Sequence, residues 1–134
     1  MVQKVVVFLL SAYFGLSLYF SFGVAPILFS VLDKKQAGLI VSKIFPSYFW
    51  IGLIIFVISL VYFIKNSYGF IFSCLLVVAV ILIVAQIYYI LPTSQMLKAT
   101  NYNGFLKLHS WSIVCNVIVM FINSISILYI IYKN

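Results

Sequence analysis

The sequence predicts an all-α integral membrane four-helix bundle, and three observations carry that reading. Of 134 residues, 66% are hydrophobic and only 7% are charged, where soluble domains carry roughly 25% charged residues. The mean hydropathy is +1.29. The apolar residues fall into four runs, and four spans of about 20 residues each would use most of them. This composition excludes an ordinary water-soluble domain, a disordered tail and a secreted disulfide scaffold. Helices are expected because an unsatisfied backbone is too costly in lipid and no alternating barrel pattern is present.

The first run extends from Val5 to about Leu32. It is longer than a minimal span, so tilt, a protruding end or a kink at Pro26 is expected. It is also far longer than the apolar core of a signal peptide, and it reads as a retained span. Within it Ser11, Gly15, Tyr19 and Gly23 recur every four residues. Small residues at that spacing allow close helix approach, and the Tyr19 hydroxyl needs a partner, so this face is expected to point inward.

Asp33 reads as an N-cap with Gln36 three positions on, as in a capping box. Ala37, Ile40, Val41 and Ile44 then repeat at helical spacing. A short interfacial helix between spans 1 and 2, leading into Pro46, is predicted. The second run covers about Ile44 to Ile64, with Pro46 in its first turn. The third covers about Tyr68 to Leu91 and is expected to stop before Pro92. The connection from Thr93 ends in Asn101-Tyr102-Asn103-Gly104, a turn signal. The fourth runs from about Phe105 to Tyr132. Residues 1–134 therefore read as one four-span domain. Tyr48, Phe49 and Trp50, Tyr62 and Tyr68, Tyr88, Tyr89 and Trp111, and Tyr129 and Tyr132 are expected to form aromatic belts at the span ends.

The net charge is +7, from eight lysines against one acid, Asp33. The lysines lie between or beyond the apolar runs, where they snorkel to headgroups. The partner they imply is the lipid bilayer, not nucleic acid. Four spans put both termini on one side, with Lys4, Lys65 and Lys133. The other side carries Lys34, Lys35, Lys43, Lys98 and Lys107. The positive-inside rule then places the termini outside the cytoplasm, in a chain spanning the plasma membrane. Cys74 and Cys115 lie inside apolar runs without a CxxC pair and read as buried free thiols.

Polar residues within the fourth run are the most informative. His109, Ser112, Asn116 and Asn123 share one helical face, with Met120 on it. Such a stripe faces the bundle interior. It either fixes packing through interhelical hydrogen bonds or lines a polar path, with His109 near one membrane surface. Gln86, near the end of the third run, is expected at the same level and within reach. His109 is the sole histidine. As a metal or haem ligand it would act alone, or with Met96, Met120 or the His109 of a second copy; a packing histidine is the simpler reading. No cofactor is assigned. The absence of a paired carboxylate, a Walker loop, an HExxH motif or a triad acid inside the bilayer points away from an enzyme.

Three short patterns resemble a known family. Phe20, Ala25, Pro26, Leu28 and Phe29 form F-x-x-x-x-A-P-x-L-F. Ala37-Gly38 is followed by Phe45, Pro46, Tyr48 and Phe49. Leu108, His109, Ser112 and Asn116 form L-H-x-x-S-x-x-x-N. In this order, on four apolar runs, they resemble the transmembrane protein 205-like family, also catalogued as domain of unknown function 4149. The resemblance covers nearly the whole chain and implies a four-helix integral membrane protein. Lysine stands here where the family suggests several arginines. An association of an animal member with platinum-drug tolerance implies export or trafficking. The expectations are therefore a small transport or tolerance factor, a cofactor-binding membrane protein using His109, or a structural partner of another membrane complex. Four short helices enclose little volume, which makes a homo-oligomer a further expectation.

Overall fold

In a computed structural model describing residues 1–133, four helices are long and apolar enough to cross a membrane: α1 (Val2–Val31), α2 (Lys34–Lys65), α3 (Phe70–Thr100) and α4 (Tyr102–Tyr132). There is no strand among the described residues. Each helix has 30 to 32 residues, a length of about 45–48 Å at 1.5 Å per residue, against a hydrocarbon core of about 30 Å. The lysines mark where the surplus lies. Lys43 and Lys65 are about 33 Å apart along α2, so the turns from Lys34 to Ser42 project beyond the apolar slab.

The prolines do not end helices here, which corrects two sequence expectations. Tyr19–Val24 forms a π-helical turn, and the Ala25 amide donates to the Phe20 carbonyl five residues back. Gln86–Ile90 does the same before Pro92, with the Leu91 amide donating to Gln86. Proline removes an amide and its ring presses on the carbonyl four residues earlier. The wider turn precedes the proline in both helices, and α3 continues through Pro92 to Thr100 instead of stopping at Leu91. Pro46 likewise sits inside α2. The separate interfacial helix does not exist; it is the start of α2 itself. Asp33 still caps it, accepting from the Gln36 amide at 2.8 Å. Asn101 caps α4, accepting from the Gly104 amide at 3.1 Å, so the predicted turn reduces to this one residue.

The inward face of α1 is not the small-residue stripe. Val6, Leu10, Tyr13, Ser17 and Phe20 are buried, whereas Ser11 and Gly15 are exposed and Tyr19 is 68% exposed. Lipid is as apolar as a leucine face, so packing decides which face turns in. The close approach comes from the neighbour: Gly52 on α2 receives the Tyr13 ring, and a Cβ there would overlap the Tyr13 hydroxyl. Tyr48 and Phe49 are also buried rather than part of a belt, because α2 starts at Lys34 rather than near Ile44. Cys74 is exposed and Cys115 half-buried, contrary to the expectation of two buried thiols.

The two ends of the bundle differ. At the end bearing both termini, Gln3 Nε2 donates to the Ile130 carbonyl at 3.4 Å. Lys133 Nζ donates to the Ser67 carbonyl at 3.0 Å and lies 4.3 Å from the Tyr68 ring centroid. Tyr62 and Tyr68 share a hydroxyl hydrogen bond of 3.1 Å, and Phe72 stacks on Tyr129 at 3.5 Å. At the lysine-rich end the α1 backbone leaves α4. No Cα from Tyr19 to Val31 lies within 8 Å of one in α4, while the last turns of α3 stay packed on α4. All three prolines lie in the half of their helix nearer this end.

Candidate functional site

Two cavities adjoin at the lysine-rich end: an outer one of about 480 Å³ among α2, α3 and α4, with Phe29 of α1 at its edge, and an inner one of about 540 Å³ where α1 diverges from α4. Both are walled by Phe29, Val41, Phe45, His109 and Ser112. The outer cavity is bordered by Lys34, Lys35 and Lys98. Lys98 is half-buried, with Nζ against Gly38 on α2, where a Cβ would occupy its place, and 5.9 Å from the Phe105 ring centroid. The inner cavity continues between α1 and α4, with Phe22 on one side and Phe121 on the other, 77% and 66% exposed. One groove thus runs from a basic mouth to the lipid-facing side of the bundle.

The polar stripe of α4 forms the groove wall and the joints beneath it. Gln86 and Ser112 bond reciprocally: Gln86 Nε2 donates to the Ser112 carbonyl and Ser112 Oγ donates to Gln86 Oε1, both at 2.8 Å. Gln86 opens the π turn preceding Pro92 and continues the buried face of Ala79 and Ile83; it is 1% exposed. The Tyr48 hydroxyl lies 2.8 Å from Ser17 Oγ and 3.0 Å from Asn116 Oδ1. Ser17 donates its own proton to the Tyr13 carbonyl at 2.8 Å. One phenol proton therefore faces two acceptors, tying α2 to α1 and α4 together. Asn123 Nδ2 donates to the Leu10 carbonyl at 3.1 Å, while Asn123 Oδ1 and the Tyr13 hydroxyl are buried without partners.

His109 differs from the rest of the stripe. It is half-buried, its ring is stacked on Phe105 at 5.8 Å, and neither nitrogen makes a hydrogen bond. It stands at the junction of the two cavities. Among the described residues no three His, Cys, Asp or Glu side chains gather as metal ligands. Met120 is three turns further along α4, about 16 Å, so it does not face the same ion. Met96 on α3 is 73% exposed and outside both cavities. A ligand set in one chain therefore reduces to one imidazole.

The family-pattern residues converge on the same groove. Ala25, Phe29, Gly38 and Phe45 line it. Phe45 packs against Phe20 at 5.1 Å and Phe49 at 5.7 Å. Tyr48 bonds to Ser17 and Asn116 beneath the groove, and Pro26 and Pro46 lie within α1 and α2 beside it. Lys98 and the Tyr13–Ser17 pair are additions that sequence reasoning missed. Lys98 reaches the mouth only because α3 continues past Pro92. Tyr13 and Ser17 are one turn apart, a spacing visible in the sequence but overshadowed by the glycines beside it.

A model of the family described as "Domain of unknown function (DUF4149)" matches residues 8–103. The first two patterns lie within that segment and the third, on α4, lies beyond it. A protein of Aquifex aeolicus (strain VF5), described as "Uncharacterized protein", is 40% identical over 133 residues, 99% of each chain. No solved structure matches.

Proposed function

The chain belongs to the DUF4149 family, and we propose that it is a small membrane transport or tolerance factor whose ligand occupies the groove between α1 and α4. The kinship with transmembrane protein 205-like proteins belongs to this same reading. One observation carries it: His109, without a hydrogen bond, stands where a basic mouth meets a lipid-facing gap. Ser112, Asn116 and Asn123 are engaged in interhelical bonds; His109, which is not, and Asn116, which also borders the inner cavity, are what a passing ligand meets. Five lysines at the groove end against three at the other favour a mouth on the cytoplasmic side of a plasma membrane, with the termini outside. The outward Ser11–Gly15 face of α1 supports self-association, since small residues permit close helix approach.

The test is a tolerance assay. Cells expressing the wild-type chain are challenged with a panel of toxic metal complexes and amphiphiles, beside the double variant His109→Ala/Asn116→Ala at equal membrane abundance. The reading expects protection that the double variant loses. Equal protection by both, with both proteins folded, overturns it. An absorbance spectrum and elemental analysis of purified wild type and His109→Ala complete the test: a Soret band or stoichiometric metal that vanishes in the variant replaces transport with cofactor binding. A reporter fused to the C-terminus reads the orientation, and a cytoplasmic signal reverses it.

A further inference from the structure

We propose that the groove binds one anionic lipid, with its headgroup at Lys34, Lys35 and Lys98 and an acyl chain between α1 and α4. This rests on the groove being a ligand site, as above, and adds the chemical class of the ligand.

Charge complementarity points to an anion. The chain has eight lysines and one acid, and that acid, Asp33, is engaged at its own helix start. Asp33 adjoins Lys34, but its single charge leaves the three ammonium groups at the mouth with a net positive charge. They come from two helices, and Gly38 lets Lys98 seat directly against α2 beside them. Level points to a lipid rather than a soluble anion. The mouth lies beside the projecting start of α2, outside Lys43, at headgroup height. The inner cavity lies below it, with apolar walls such as Ile113, Val117 and Phe121. From His109 to Ser124 the groove follows α4 for about 22 Å, longer than the roughly 15 Å depth of one leaflet's hydrocarbon. Its side is open, so a lipid enters from the bilayer without any helix moving aside. A headgroup oxygen at the junction would face His109 and the Ser112 wall, the polar groups at that depth.

The test is native mass spectrometry of the full-length protein, released from nanodiscs containing equal phosphatidylglycerol and phosphatidylcholine. One retained phosphatidylglycerol per chain is expected. The variant Lys34→Gln/Lys35→Gln/Lys98→Gln is expected to lower retention by about a hundredfold, since each lysine near the surface contributes roughly a factor of five. Lys4→Gln/Lys65→Gln at the opposite end is expected to retain it. Val117→Trp, which fills the groove without altering charge, is expected to lose the lipid. Equal retention of the two lipids, equal loss from both lysine variants, retention in Val117→Trp, or a lipid-free dimer overturns the proposal. So does displacement of the lipid by inorganic phosphate, which would make the mouth a simple anion site. Folding of each variant is checked by circular dichroism and thermal unfolding. A negative lipid result with protection intact in the tolerance assay rejects the ligand class alone; loss of lipid binding with unchanged protection separates binding from transport.

Discussion

The terminal end and the lysine-rich end of this bundle are built from the same apolar alphabet, yet one is closed and the other open. The closed end uses direct ties: Lys133 on the α2–α3 turn, Tyr62 bonded to Tyr68, Phe72 stacked on Tyr129 and Gln3 on the end of α4. The open end carries every proline and both π turns. In lipid no hydrophobic gain draws helices together. Contact is kept where side chains interlock or bond, as it is past Pro92 on α3, and is lost on α1 from the π turn before Pro26 onward. The groove lies in the half where α1 has left α4.

The largest effect should come from the closed core. Gly52→Val places a branched side chain where the Tyr13 ring lies, and a loss of about 3 kcal/mol is expected from overpacking. Thermal unfolding in detergent reads it. Tyr13→Phe in the Gly52→Ala background should restore part of the loss, because the hydroxyl is the nearest obstacle and has no partner. Unfolding temperatures unchanged by Gly52→Val would remove Tyr13 and Gly52 from the packing account.

The next effect sits at the boundary of the two halves. Gln86→Leu breaks both bonds to Ser112, and a cost of about 1–2 kcal/mol is expected. A double-mutant cycle with Ser112→Ala should show a coupling energy of about 1 kcal/mol; additive losses would mean the pair does not join α3 to α4. By contrast, His109→Ala should change stability by no more than about 0.5 kcal/mol, because its ring makes no hydrogen bond. A large destabilisation there would turn His109 into a packing residue and erase its difference from the rest of the stripe.

The smallest effect concerns pH at the closed end. Burial, then the neighbouring Tyr62 hydroxyl, hold the Tyr68 phenol above its ordinary value of 10.0, with Lys133 opposing. Its neutral form is therefore favoured in the folded protein. The stabilisation is fully present below pH 10.0 and disappears as pH rises through the folded value. Tyr68→Phe should flatten that alkaline loss in unfolding scans above pH 10.0, and a curve identical to wild type would contradict it.

The difference between the ends also explains what the sequence reveals. Composition and run length suffice for four apolar helices, because the bilayer leaves the backbone no alternative. The Asp33 cap is legible because it is local, and the α4 stripe because helical periodicity is. Helix ends are not legible at Pro46 and Pro92, where a π turn or the surrounding helix satisfies the backbone that proline disrupts. The inward face of α1 is hidden for another reason. Gly15 and Gly23 suggest close approach, but whether a glycine is filled by a neighbour depends on the other helix, and here Gly52 takes that part. The groove follows from both effects together: Lys98 joins Lys34 and Lys35 only after α3 has continued past its proline.

The separation of α1 from α4 is tested most directly by electron-spin distance measurements in nanodiscs, on chains with Cys74 and Cys115 replaced by alanine. One pair of labels, at Phe22 and Phe121, straddles the groove; another, at Val5 and Leu128, reports the closed end. A longer and broader distance distribution for Phe22/Phe121 than for Val5/Leu128 is the expected result. Equally short, narrow distributions for both pairs would mean that α1 and α4 stay packed along their full length, and the groove with its proposed ligand would fall.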